Sequence, residues 1–276
     1  MRESTKKKLK TIYRTYLQYA DSPLIELHNR TAKIKSNKST IPSIVYQTWV
    51  DNLFGKTHFA EIEKFRDLNP DMSFQLFNQS TLENYMYDVW GQHPIYIIFQ
   101  NSQFGPMKAD IFRYCILCER GGYYFDISKG CRVPISSFCD ETSQGLISFE
   151  NHDCFVPPEK NSIHKILYPT KYVLQWGMGF VKDHPILMHM ISDICEYYPY
   201  YKNKIFGTPK HAILAFTGPG MFTMVVRKAF NQYSDLNVTQ AGIDFNGAGI
   251  VEMKGCQLRY VKMPAYADFR NRVIVE

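Results

Sequence analysis

Asp110 and Arg113 stand three residues apart in KADIFRYCILCERGG, and Asp126 and Ser128 stand two apart in YYFDIS. On a helix the three-residue spacing puts Asp110 and Arg113 on one face. In an extended chain the two-residue spacing puts Asp126 and Ser128 on one side, with Ile127 turned the other way. An arginine beside carboxylates can meet a polar ligand through charge-assisted hydrogen bonds. The plainer reading of Asp110 and Arg113 is an intrahelical ion pair. Lys129 is either solvated or a source of positive charge beside the acid. Cys115-x-x-Cys118 lies within a helical pattern and has no second pair nearby, so it reads as core. Trp176-Gly177-Met178-Gly179 is open to two readings, an acceptor groove or a bulged strand.

The elements that must position these residues read as alternating strands and helices. IPSIVYQTWV is a β-branched and aromatic strand, FAEIEKFRDLNP a helix stopped at Asn-Pro, and MSFQLFN a second strand. GPMKADIFRYCILCERGG has a proline near its start and a glycine pair past its end, which brackets a helix of about four turns. YYFDI is the next strand. Further on, YVLQWGMGFV reads as one strand, HPILMHMISDICEYY as a helix opened by proline, TGPG as a tight loop, and CQLRYVKMPAY as strand-like. The pattern predicts an α/β fold. In open α/β sheets ligands sit beyond the carboxyl ends of the strands, which is where Asp126 falls.

With 276 residues, 45% of them hydrophobic, the chain can bury a sizeable core as one large domain or as a domain plus an extension. Residues 1–40 carry ten Lys or Arg against three acids, a charge of +7, whereas the rest carries −1. Leu9, Ile12, Tyr13, Tyr16 and Leu17 share one face of a basic amphipathic helix. That helix either packs on its own domain or binds an anionic membrane surface through residues 1–20. NRTAKIKSNKST reads as a linker, giving a basic helical extension over 1–40 and a domain over 41–276. A neutral body without a recognition motif argues for no nucleic acid partner. No run of about 18 apolar residues and no signal-peptide pattern is found. The seven cysteines, odd in number, suit a reducing compartment. The expected location is cytoplasmic, peripheral at most on the inner face of a membrane.

At IPSIVYQTW (41–49), KADIFRYCILCERGGYYFDIS (108–128), His184-Pro185 and TGPGMFT (217–223), the chain resembles glycosyltransferases with a DXD sugar-binding motif. This GT32-like family includes initiating α-1,6-mannosyltransferases, bacterial capsule and lipopolysaccharide transferases and, more distantly, the glucosylating clostridial toxins. The resemblance implies a GT-A type fold, in which a single Rossmann-like nucleotide-binding sheet is flanked by helices. It implies transfer of a sugar from a UDP- or GDP-linked nucleotide-sugar donor to a glycan or lipid-linked acceptor hydroxyl, in surface polysaccharide synthesis and with retention of configuration. By position it implies that Gln47, Thr48 and Trp49 lie against the nucleotide base. Asp110 and Arg113 would contact the donor sugar, and Asp126 would sit near the ribose and a metal. Ser128 stands where the family usually has the second acid, so Mn2+ or Mg2+ would be held weakly, by Asp126 and Ser128 with Asp268 as a more distant candidate. No histidine follows His211 to match the carboxyl-terminal ligand of some relatives. Ser128 also raises an alternative, a catalytically inert nucleotide-sugar or glycan-binding protein.

Overall fold

The computed structural model describes residues 12–13, 15–16, 20–34, 39–160, 163–259, 263 and 266–276. A seven-stranded sheet organises them. Its strands are β1 (Ile44–Thr48), β2 (Ser73–Phe77), β3 (Gly122–Phe125), β4 (Gly145–Asp153), β5 (Lys171–Val173), β6 (Gly177–Phe180) and β7 (Val238–Ile243). The order is β7-β4-β6-β3-β1-β2, with β5 paired on β4. β1 runs parallel to β2 and β3, and β4 parallel to β7, while β6 is antiparallel to both β3 and β4. The carboxyl ends of β1, β2, β3, β4 and β7 therefore reach one edge, where the chain entering β6 also arrives. The expected α/β fold with one sheet flanked by helices is present.

Alternation along the strands divides the core into two layers. Tyr46, Tyr124, Ile147, Phe149 and Met178 face one layer, and Val45, Tyr123, Phe125 and Leu146 face the other. The first layer is built with α2 (Gln79–Trp90), α3 (Pro94–Asn101), α4 (Gly105–Arg120), α5 (Pro185–Tyr201), α6 (Pro209–Phe216) and α7 (Pro219–Gln232); α1 (Lys56–Leu68) covers the second. Proline opens α3, α5, α6 and α7, where its missing N–H would have had no helical partner. α4, with ten buried residues, is the central helix of the first layer. It ends at Gly121, whose φ of +66° lets the chain turn straight into β3. A Cβ there would come within 2.7 Å of the Lys182 nitrogen.

Three segments differ from the sequence reading. YVLQWGMGFV forms two strands, because Leu174 bonds to Ser148 and Trp176 to Asp126 across the break. Cys256–Leu258, read as strand-like, is a 3-10 turn entered through the left-handed Gly255, and its two ends are both buried. Residues 21–34 are laid against the sheet: Ile25–Glu26 pairs with Leu53–Phe54, Leu27 is in the core, and Arg30 bridges Phe74 at the outer edge of β2. Their backbone groups satisfy an otherwise open strand edge. Of the extension, Ile12, Tyr13, Thr15, Tyr16 and Ala20 are helical, and Ile12, Tyr13 and Tyr16 are exposed. Leu9, Leu17 and the basic residues from Arg2 to Lys10 lie outside the described residues. No helix among the described residues is long and apolar enough to cross a membrane.

Candidate functional site

The carboxyl edge of the sheet gathers the sequence-derived residues from two adjacent strands and one helix. Tyr46 of β1 pairs with Tyr124 of β3, so Thr48 and Asp126 each lie two residues past that pair. Asp126 leaves β3 with its backbone N–H bonded to the Trp176 carbonyl, and Lys129 N–H closes back on the Asp126 carbonyl at 2.8 Å. Residues 126–129 are thus a turn, not the extended segment in which 126 and 128 would point alike. The turn is clamped further by His58 Nε2 against the Ile127 carbonyl at 3.1 Å and by the Met253 N–H on the Ser128 carbonyl. Burial holds His58 well below the ordinary histidine range, at about 4, so the ring is neutral and donates to that carbonyl.

Arg113 is the hub. Its guanidinium lies 3.1 Å from Asp126 Oδ1 and 3.3 Å from Asp110 Oδ1, donates to the Gln175 carbonyl, and sits over the Tyr124 ring at 4.6 Å. The Tyr124 hydroxyl donates to the same Asp126 oxygen at 3.0 Å. Asp110 is buried and accepts from Thr217 Oγ1 at 2.9 Å. Burial pushes its carboxyl up to about 7, against the opposing pull of Arg113 and Thr217. The Thr217 carbonyl in turn accepts from the Tyr114 hydroxyl and from Gln175 Nε2. TGPG is therefore the joint between α6 and α7 that reaches α4 through Asp110. The ion-pair reading of Asp110 and Arg113 describes this arrangement, and the pair continues to Asp126, whose side chain is one-third exposed.

Gln47 is fully buried at the end of β1, and neither side-chain amide atom has a partner among the described residues. Thr48 Oγ1 donates to the Phe77 carbonyl, and the partly buried Trp49 packs on the second core layer. Trp176 packs on Phe125 and Phe245, and a Cβ on Gly179 would strike the Tyr123 ring at 2.4 Å. The Trp-Gly-Met-Gly segment is thus tight core packing. Lys129 Nζ donates to the Val251 carbonyl and lies 5.8 Å from the Trp176 ring. Asp268 ends the Tyr266–Asp268 turn, which packs against α6.

Residues 55–144 match the family model described as glycosyltransferase sugar-binding region containing DXD motif. The segment resembles a glycosyltransferase sugar-binding region. Among curated proteins the chain is similar to inositol phosphoceramide mannosyltransferase 2 of Schizosaccharomyces pombe, 29% identical over 118 residues, covering 42% of this chain and 33% of that one. It is also similar to mannosyl phosphorylinositol ceramide synthase CSH1 of Saccharomyces cerevisiae, at 24% identity with 73% and 46% covered. The initiation-specific alpha-1,6-mannosyltransferase of Candida albicans is 25% identical, with 69% and 53% covered. The chain spans between about a third and about half of the length of these relatives. The solved PaToxG Glycosyltransferase aligns with a TM-score of 0.48 at 14% identity, covering 80% of this chain and 77% of that one.

The expected DXD position reads Asp126-Ile127-Ser128, and its second member is occupied in a way the sequence did not disclose. Ser128 is buried, and its Oγ accepts a 2.5 Å hydrogen bond from Arg259 Nη1. A divalent cation of the Mn2+ or Mg2+ type prefers several anionic oxygens. Here one Asp126 oxygen already serves Arg113 and Tyr124, and the second position is a neutral hydroxyl bearing a guanidinium. Among the described residues no group of three or more His, Cys, Asp or Glu side chains is arranged to hold a metal. The donor set expected from Asp126, Ser128 and Asp268 does not fit such an ion, because the hydroxyl at its second position carries the Arg259 guanidinium.

Sequence reading missed Tyr124, Thr217, Gln175 and Arg259 as site residues. Tyr124 carried a usable signal, its two-residue spacing from Asp126 along one strand. Arg259, 131 residues from Ser128, carried none.

Proposed function

We propose that the chain is a glycosyltransferase that moves a hexose from a nucleoside diphosphate sugar to a hydroxyl of a glycan or lipid-linked sugar. The observation that carries this reading is the Asp110–Arg113–Asp126 constellation, with Tyr124 on the same carboxylate, inside the matched sugar-binding region and at the sheet edge where α/β ligands sit. In this reading Arg113 and Asp110 hold the donor sugar, and Asp126 takes the ribose side. Gln47, Thr48 and Trp49 meet the base, and the unpartnered amide of Gln47 is a group whose burial costs free energy until something bonds it. The relatives' names point to mannose as the hexose, and that of inositol phosphoceramide mannosyltransferase 2 to an inositol phosphoceramide acceptor. The donor base is uridine or guanosine.

The acceptor oxygen forms a bond to the donor C1 as the bond from C1 to the diphosphate oxygen breaks. The electron pair stays on that oxygen, which also takes the acceptor's proton, so nucleoside diphosphate leaves on the face the acceptor enters and configuration is retained. The protein's part is to fix both partners and to stabilise charge on the departing diphosphate. Mn2+ or Mg2+ is not written into these steps, given the poor fit of the donor set. The basic extension holds the protein on the inner face of an anionic membrane, beside a lipid-linked acceptor of surface polysaccharide synthesis.

A thermal-shift screen of UDP, GDP and their hexose conjugates tests the reading, since a ligand bound only by the folded state raises the melting temperature. Stabilisation by one nucleotide series, lost in Arg113→Ala, is the expected result. An inert binding protein would share that result but release no nucleoside diphosphate when donor and acceptor are both supplied.

A further inference from the structure

Resting on that reading, we propose that the body of the chain docks on an anionic membrane surface through Tyr200, Ile205 and the cations around them, with the candidate site turned toward the lipid. Two segments far apart in sequence make this surface. Ile205–Phe206 pairs antiparallel with Arg272–Val273, which gathers Lys202, Lys204, Arg270 and Arg272, all four exposed, on and around one short ribbon. Lys210, at the start of α6, adds a fifth cation. Neither residues 197–211 nor residues 269–275 include an acid; the nearest in sequence, Glu196, Asp268 and Glu276, stand at the outer ends of the two segments. Since residues 41–276 carry only −1, these cations are a local asymmetry on a near-neutral body. Lys202 and Lys204 lie 5.6 and 5.9 Å from the rings of Tyr198 and Tyr200, contacts that orient an ammonium without neutralising it.

The ribbon has a rigid base. Tyr201, the last residue of α5, stacks on Phe216 at 4.2 Å and on Phe206 at 5.8 Å, which pins the helix end and the ribbon to the core. With Phe206 turned inward, its neighbour Ile205 turns outward and is 71% exposed. Tyr200, 65% exposed, stands beside Tyr197 at 6.1 Å. Apolar tips held in water amid cations suit a membrane interface: tyrosine rings sit at headgroup level, isoleucine enters the acyl boundary, and long basic side chains reach the lipid phosphates and carboxylates. The direction follows from the fold. α4 presents Asp110 and Arg113 to Asp126 and runs from there toward the start of β3, so it begins at the carboxyl edge of the sheet. Ser102 and Gln103, just before α4, pair with Val275 and Ile274, and Val275 also accepts from the Asn203 N–H. The ribbon therefore lies at the end of the molecule that holds the candidate site, and docking brings that site to the headgroups, where a lipid-linked acceptor presents its hydroxyl.

Vesicles of phosphatidylcholine with and without phosphatidylserine, their acyl chains brominated, test this on the full chain at low salt. In Tyr200→Trp the added indole, read against the wild-type chain with its three tryptophans, is expected to be quenched on the anionic vesicles and not on the neutral ones. Binding of the Lys202→Glu, Lys204→Glu double variant should fall about tenfold or more, and that of Ile205→Ser about threefold or more. Both variants keep the wild-type melting temperature, since the changed side chains are exposed. An unquenched indole, or undiminished binding of both variants, would overturn the proposal and leave the amino-terminal extension as the whole attachment. Binding of the wild-type chain to soluble polyglutamate but not to vesicles would overturn it in favour of an acidic protein partner. Absence of nucleoside diphosphate release from every donor with a soluble glycan acceptor would overturn the proposed function instead, with the docking surface standing on the quenching result.

Discussion

Arg113 Nη2 lies 3.1 Å from Asp126 Oδ1, which ties the buried face of α4 to the end of β3. The partly exposed carboxylate is thus part of the fold as well as of the candidate site, and its removal has two expected consequences. Asp126→Asn should lower turnover about a hundredfold or more, because the charge that positions the donor is gone. It should also cost about 1–3 kcal/mol of stability, since Arg113 then lacks one of its two carboxylate partners. Steady-state rates together with urea unfolding check both. Normal turnover in the folded variant would remove Asp126 from the site.

Thr217→Val should destabilise the protein by about 1–3 kcal/mol through loss of the only side-chain hydroxyl bonded to Asp110 among the described residues. The effect is specific to that pair. In an Asp110→Asn background the same change should cost measurably less, and a double-mutant cycle reads the difference as coupling. Strict additivity would mean that Thr217 contributes by packing alone.

The pH dependence of stability should carry the mark of two buried histidines. Burial lowers His58 and His184 from 6.5 to about 4. Between those values the unfolded chain binds protons that the folded chain refuses, so their contribution is complete above pH 6.5 and is lost as pH falls toward 4. Each adds a slope of at most about 1.4 kcal/mol per pH unit in that window. His184 caps α5 by accepting from the Ile186 N–H at 3.2 Å, a role asparagine can fill. Urea unfolding of His184→Asn from about pH 6.5 to about pH 5 should therefore show a shallower decline than wild type. An unchanged slope would mean that His184 is charged in the fold.

The exposed Ile12, Tyr13 and Tyr16 and the basic residues around them should carry the chain onto anionic vesicles at low salt and release it at high salt. The comparison chain should begin at Ala20, because Asp21 caps α1 by accepting from the Thr57 N–H at 2.7 Å and is needed for the fold. Equal flotation of the two chains, or none by the longer one, would contradict the membrane role.

The parts of the site that were legible in the sequence are those within one element or across one turn. Asp110 and Arg113 announce themselves by helical spacing, and Asp126 by following a strand that a glycine pair introduces. The direction expected of Ser128 differs from the one found, because alternation holds only in extended chain and residues 126–129 turn. Thr217 and Arg259 reach the site from α6 and from the segment after Gly255. Such contacts are fixed by how layers pack and leave no local periodicity to read. The linker reading of residues 29–40 missed one contact for a related reason: polar side chains there say nothing of Arg30 pairing by its backbone with the edge of β2.

The most direct test of the account is release of nucleoside diphosphate by the full chain supplied with a panel of UDP- and GDP-hexoses and a glycan or glycolipid acceptor, with Asp126→Asn as the paired control. The account predicts acceptor-dependent release from one donor series by the wild-type chain and its loss in the folded variant. Absence of release from every donor, or equal release by Asp126→Asn, would contradict it.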